Sequence, residues 1–140
     1  MRRSQYVLRE EDVPAYHPAN HVGTVNRRVI SAETVGATRV EVLVGTLERG
    51  PGALPHAHPG IEQTGYLLAG RARVTIGEGA AAETVECGPG DWIFFPADTM
   101  HRFEVISEEP VRVVVIYTPP YGEDPAKVIR PGATATRTTA

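Results

Sequence analysis

One cysteine, Cys87, is all the thiol chemistry in this chain, so no internal disulfide framework can form and a reducing cytoplasm is the expected setting. Long apolar runs are missing too. Nowhere do about 18 consecutive apolar residues occur, which excludes a spanning helix. The N-terminus starts basic, at Arg2 and Arg3, but reaches Glu10, Glu11 and Asp12 without an apolar core between, so no signal peptide is expected. Excess positive charge is absent as well: a formal net charge of -3 offers no basic field for nucleic acid or an acidic membrane. Unbroken helix-length stretches are scarce, because 14 glycines and 12 prolines fall between short β-branched runs. That pattern favours an all-β sandwich or barrel.

What is present fits one ordinary globular domain of 140 residues with 41% hydrophobic content. Residues 39–47 (RVEVLVGTL) read as a strand, and Gly50-Pro51-Gly52 then predicts a turn. Residues 65–76 read as a strand pair broken at Gly70, residues 83–86 and 92–95 as short strands, and His101 as the start of another. The run 111–117 (VRVVVIY) is so rich in branched residues that burial on both faces is expected. Before these, Val7-Leu8 reads as a strand start, and Pro14 and Pro18 prevent a continuous helix. His17 and His21, with Pro18 between them, read as solvated loop histidines. Residues 20–28 read as a polar loop at the mouth of a barrel, offering Asn26, Arg27 or Arg28 to an anionic ligand or simply forming a solvated edge. The organisation expected is an N-terminal strand and loop segment over 1–35, a barrel over 36–120, and a partly disordered tail over 121–140, whose end (ATATRTTA) has nothing to bury.

The chemistry concentrates between Gly50 and Gly70. His56 and His58 stand one residue apart and share one face of an extended chain. Glu62 and Gln63 follow closely, and two imidazoles with an oxygen donor behind them make most of a metal site. The fourth donor stays open between the two. Strand parity groups Gln63 with Gly65, Leu67 and Ala69, and Glu62 with Tyr66 and Leu68, while a bulge near Thr64 would exchange them. The choice matters, since glutamine leaves a divalent ion its full charge and glutamate partly neutralises it.

Two spaced motifs resemble the cupin superfamily. In the first, a glycine is followed after five residues by His-x-His, then an acid or amide, then after six more residues a glycine: Gly50, His56, His58, Gln63 and Gly70. The second runs from Gly90 through Pro96 to His101, with Asp98 where glycine is usual and Val105 where asparagine is usual. The resemblance implies a double-stranded β-helix, or jelly-roll barrel, with His56, His58, Gln63 and His101 around one divalent transition metal. Iron or manganese is expected first, with nickel, cobalt or zinc as alternatives.

The resemblance also implies a metal-dependent oxygenase acting on a small aromatic or carboxylate-bearing substrate together with O2. The alternatives are a metal-assisted isomerase, lyase or decarboxylase with Glu62 as base, or a non-catalytic barrel that binds a sugar or small acid. Tyr66, Trp92, Phe94, Phe95 and Phe103 lie on strands beside the ligands. Tyr66, Trp92, Phe94, Phe103 and Arg73 are the substrate-binding candidates. Any of Arg71, Arg73 and Arg112 that faced inward would anchor a carboxylate. Relatives of this kind pair through an outer sheet and an exchanged N-terminal strand, which implies a homodimer, with valines over 40–44 on the shared surface.

Overall fold

A computed structural model describes residues 4–131. Nine strands follow in chain order: β1 (Ala15–Tyr16), β2 (His21–Ile30), β3 (Glu41–His56), β4 (Glu62–Ala69), β5 (Ala72–Ile76), β6 (Glu83–Cys87), β7 (Trp92–Phe95), β8 (His101–Val105) and β9 (Val111–Thr118). Among the described residues the one α-helix is a single turn, α1 (Ala32–Val35), capped by the Ser31 side chain and ended at Gly36. No helix there is long and apolar enough to cross a membrane. Every strand pairing is antiparallel, in the order β6-β5-β8-β3-β9-β4-β7, with β1 and β2 added beside β3. The sheet curls into a half-barrel of jelly-roll type, the expected all-β architecture.

Four local expectations are corrected. Gly50-Pro51-Gly52 does not reverse the chain but bends it within the continuous strand β3. Gly50 and Gly52 take φ of +142° and +57°, and a Cβ on Gly52 would lie 2.5 Å from the Phe103 carbonyl oxygen. Glycine thus lets β3 pair with β9 through Glu41–Leu47 and then turn onto β8 at Ala53 and His56. Residues 21–30 are a strand rather than a loop. Their polar residues alternate, with Thr24 and Asn26 buried and Val25 exposed, so their polarity lines the interior instead of meeting water. Val7 and Leu8 form no strand. In β9, finally, one face alone is fully buried, by Val111, Val113 and Tyr117, while Arg112, Val114 and Ile116 on the outer face are half-buried.

The interior holds two apolar clusters. The larger comprises Leu47, Leu67, Val74, Phe95, Phe103 and Val111 with their neighbours. A smaller one of Leu43, Ile61, Tyr117 and Tyr121 closes the other end. After β9 the chain does not stray: residues 119–131 form a strap folded back over the barrel. The buried carboxylate of Glu41 accepts hydrogen bonds from the main-chain N–H groups of Tyr121 and Gly122, both at 2.9 Å, and pairs with the Arg28 guanidinium. Further on, Ala57 and Ile129 exchange main-chain hydrogen bonds at 2.8 and 2.7 Å. The end of the tail, 132–140, lies outside the described residues.

A buried carboxylate with three charge-assisted or main-chain partners is costly to delete, because its partners stay behind unsatisfied. Glu41→Ala is expected to lower unfolding free energy by about 3–5 kcal/mol and Glu41→Gln by less, measured by urea denaturation. A loss under about 1 kcal/mol for the alanine variant would refute this account of the strap.

Candidate metal centre

His56 ends β3 and His101 begins β8, and the two are direct Cα partners across the antiparallel pair. Residues far apart in sequence therefore meet on neighbouring strands, not across the barrel. His58 follows after the bend at Ala57, and all three imidazoles are buried. One ring nitrogen from each lies within 4.8 Å of the others. The rings of His56 and His101 are 4.4 Å apart between centroids, and Phe95 stacks on His101 at 4.3 Å. Tyr121, from the strap, packs on His58 at 4.3 Å.

The hydrogen bonding of the rings decides which nitrogen is available. His56 Nδ1 meets the Leu54 carbonyl at 2.7 Å, His58 Nδ1 the Lys127 carbonyl at 3.0 Å, and His101 Nδ1 the Thr99 carbonyl at 3.1 Å. A carbonyl only accepts, so each Nδ1 must carry the proton and each Nε2 must present its lone pair. Main-chain acceptors behind metal-ligating histidines act in this way. The Nε2 atoms of His58 and His101 and the Oε1 atom of Gln63 are buried without any hydrogen-bond partner. Orphaned acceptors converging in one buried place are what a cation would satisfy, so the residues fit a divalent transition metal.

Burial also keeps the rings neutral. It pushes His56 down to about 4, helped by the neighbouring imidazole of His58, and holds His58 lowered and His101 well below the usual value. Protons then compete little with a metal near neutral pH. Asp98 takes the left-handed position, φ +64°, where glycine was usual, and its carboxylate accepts from the Gly60 N–H at 3.0 Å while its own N–H bonds the His58 carbonyl. Val105 is buried in the main cluster and leaves no gap where asparagine was usual.

The remaining candidates divide by strand face. Gln63 faces inward, lining a cavity of about 50 Å³ with His56, His101, Phe103 and His21, with no bulge near Thr64. Glu62 is exposed on the opposite face, so it is neither a fourth donor nor a base at this cavity. Phe103 lines the cavity as expected. Tyr66, Trp92 and Phe94 do not: they project from the outer face, where Trp92 is 68% exposed and its ring packs on Tyr66. Alternation puts Ile93 and Phe95 inside in their place. Arg73 also points outward, paired with Glu86 and Glu104. Arg71 is exposed and Arg112 binds Glu10, so no strand arginine enters the site. Arg27 bonds the Val13 carbonyl and Arg28 pairs with Glu41 over the Tyr16 ring, leaving only Asn26 of that trio at the cavity.

Several lining residues were not legible beforehand. His21 is not a solvated loop histidine: it lies 6.3 Å from the His56 ring, bonds Thr24 Oγ1 through Nδ1, and burial lowers it to about 4. Tyr117, Tyr121, Glu123 and Arg130 line a small chamber beside it, at the mouth. Period-two counting along β9 points to Tyr117. The others depend on how the strap folds, which no local pattern reveals. A groove of about 630 Å³ lies outside the site, between β1, α1 and the strap.

Four variants test the donor set. His56→Ala and His101→Ala are each expected to abolish metal retention after desalting, measured by elemental analysis. Gln63→Ala is expected to weaken retention, whereas Glu62→Ala leaves it unchanged. Equal effects of the last two would reverse the assignment of the fourth donor.

The sequence of residues 43–117 matches the family described as Cupin domain. A protein of Methanocaldococcus jannaschii, MJ1618, is 24% identical over 107 residues, covering 76% of this chain and 82% of that one. Another relative, named polyketide synthase CurC, from Streptomyces cyaneus, is 28% identical over 108 residues, covering 77% and 68%. Among solved structures, KdgF from Halomonas sp. superposes with a TM-score of 0.65 at 22% identity over 79% of this chain and 92% of its own. Oxalate decarboxylase from Lactobacillus farciminis superposes at 0.71 and 19% identity over 91% of this chain, which spans only 36% of that protein. The likeness to the solved structures concerns the fold, and the family match covers more than half the chain. The protein belongs to the cupin family.

Proposed function

We propose that this cupin is a metal-dependent enzyme acting on a small carboxylate-bearing substrate, with His56, His58, His101 and Gln63 holding one divalent ion, manganese or iron. The observation that carries the reading is the set of converging, neutral, unpartnered donors with every histidine Nδ1 tied to a main-chain carbonyl. When bound, an ion in a wholly neutral donor set supplies Lewis acidity toward substrate oxygens. The protein's own part is positional. The carbonyls of Leu54, Thr99 and Lys127 fix ring orientation, and Phe95, Phe103 and Leu47 wall the cavity with apolar surface that keeps water few. His21, neutral at pH 7, faces the same cavity and is placed to accept a proton, the function that Glu62 cannot perform from the outer face.

The space favours a small acid over an aromatic ring. About 50 Å³ holds three or four water-sized groups. Tyr66, Trp92 and Phe94, three of the four aromatic residues expected to clasp a ring, point outward instead. We therefore place metal-assisted lyase, isomerase or decarboxylase chemistry ahead of oxygenation. The oxygenase reading keeps one observation in its favour, the apolar wall beside the histidines. Anaerobic and aerobic turnover of a panel of small hydroxy and oxo acids by the manganese- and iron-loaded protein separates the two. Turnover without O2 uptake is expected. Strictly O2-dependent turnover would overturn the preferred reaction class, and no turnover of any acid would overturn the enzymatic reading.

The same outward aromatics support a homodimer. Across five strands the outer face sets Arg27, Val44, Val114, Tyr66 and Trp92 in one register row, and Val42, Ile116, Thr64 and Phe94 in the next. With Trp92 68%, Phe94 50% and Leu68 47% exposed, this is more apolar surface than a solitary sheet face usually leaves in water. Sedimentation is expected to give a dimer that Trp92→Glu converts to monomer. A monomeric parent chain would end this reading.

A further inference from the structure

Arg130 stands where the sequence offered no candidate. It lines the mouth chamber together with His21, His56, Tyr117, Tyr121 and Glu123. No other lysine or arginine among the described residues lines that chamber or the cavity below it. Its backbone is not adventitiously placed. The neighbouring residue Ile129 is bridged on both main-chain groups to Ala57, between His56 and His58, so the arginine is held against the histidine segment itself.

Charge makes the position meaningful. All the proposed donors are neutral, and among the described residues the acid lining the mouth is Glu123, whose Oε1 accepts from the Ala19 N–H at 2.9 Å. A divalent ion together with a guanidinium therefore leaves positive charge that Glu123 does not balance. An entering anion balances it. We propose that Arg130 anchors the carboxylate of a two- or three-carbon hydroxy or oxo acid while the acid's second oxygen reaches the histidine-lined metal position. This rests on the metal reading above and narrows it to a substrate with two oxygen functions, one of them ionised. A guanidinium fork suits the task because it donates two parallel hydrogen bonds to one carboxylate and never loses its charge.

Glycolate and its uncharged analogue glycolamide serve as probes, titrated calorimetrically into the full chain loaded with Co(II), with the visible spectrum of Co(II) reporting contact with the ion. Both offer a hydroxyl oxygen to the metal position and a carbonyl group to Arg130, but only glycolate carries a negative charge there. The parent chain is expected to prefer glycolate by at least tenfold. Arg130→Gln is expected to weaken glycolate by about 10- to 100-fold, the size of a lost charge-assisted hydrogen bond, while glycolamide binding and Co(II) content stay unchanged. Arg130→Lys is expected to recover part of the preference. Equal glycolate affinity in the parent and Arg130→Gln chains, with Co(II) bound in both, would overturn the anchor and leave the metal centre standing. So would a parent chain that binds Co(II) but no glycolate. Failure of the parent to retain Co(II) would overturn the metal reading itself and the anchor with it.

Discussion

Three imidazoles buried side by side must be neutral, and each must have its Nδ1 proton accounted for. That constraint shapes the interior of this barrel. A charged imidazolium would lose its hydration next to two like rings, so desolvation dominates the lowering of all three. A neutral ring still has one N–H to satisfy inside the buried interior. The structure answers with three main-chain carbonyls. Two, from Leu54 and Thr99, lie two residues before their histidines and come from the local strand geometry. The third, from Lys127, comes from the strap, 69 residues further along the chain from His58. The tautomer of one proposed ligand is thus set by a segment that belongs to no strand of the barrel.

That dependence gives Glu41 its importance. A carboxylate 2% exposed at the start of β3 would be a liability without partners. Its partners are the Arg28 guanidinium and the first N–H groups of the strap. The chain of causes is physical throughout: Glu41 holds Tyr121 and Gly122, the strap then reaches Ala57 through Ile129, and Lys127 and Arg130 arrive beside His58 and His56. The strap brings Tyr121, Glu123 and Arg130 to the mouth, although its composition reads as an unstructured tail.

Much of this was legible in the residues, and the division follows the range of the information. Period-two alternation and glycine–proline spacing place β4, β5, β7 and β9 and put Gln63 and Glu62 on opposite faces, without deciding which of the two faces inward. Alternation also decides against Trp92, Phe94 and Tyr66 once one inward neighbour is known, since Gln63 opposite Phe95 fixes the parity of both strands. What local patterns could not give was whether Gly50-Pro51-Gly52 bends or reverses the chain. The answer depends on how closely β3 approaches Phe103 on β8, a long-range contact. His21 was obscured because a polar strand that lines a polar cavity has the composition of a loop. Arg130 was invisible for the same reason as the strap.

Gln63 and Arg130 together also suggest why the two ends of the site differ. Choosing an amide at position 63 leaves the inner end with no negative charge, so anion recognition depends on the metal position and on whatever lines the mouth. An acid there, Glu123, is half-buried, and burial raises its carboxyl, which weakens it as a counter-charge. Arg130 lines the same mouth beside it. A barrel with a glutamate at position 63 would need less from its substrate. With glutamine there, and on the proposed reading of the site, the substrate's own carboxylate would supply the missing negative charge, so that substrate binding and charge neutralisation would be the same event.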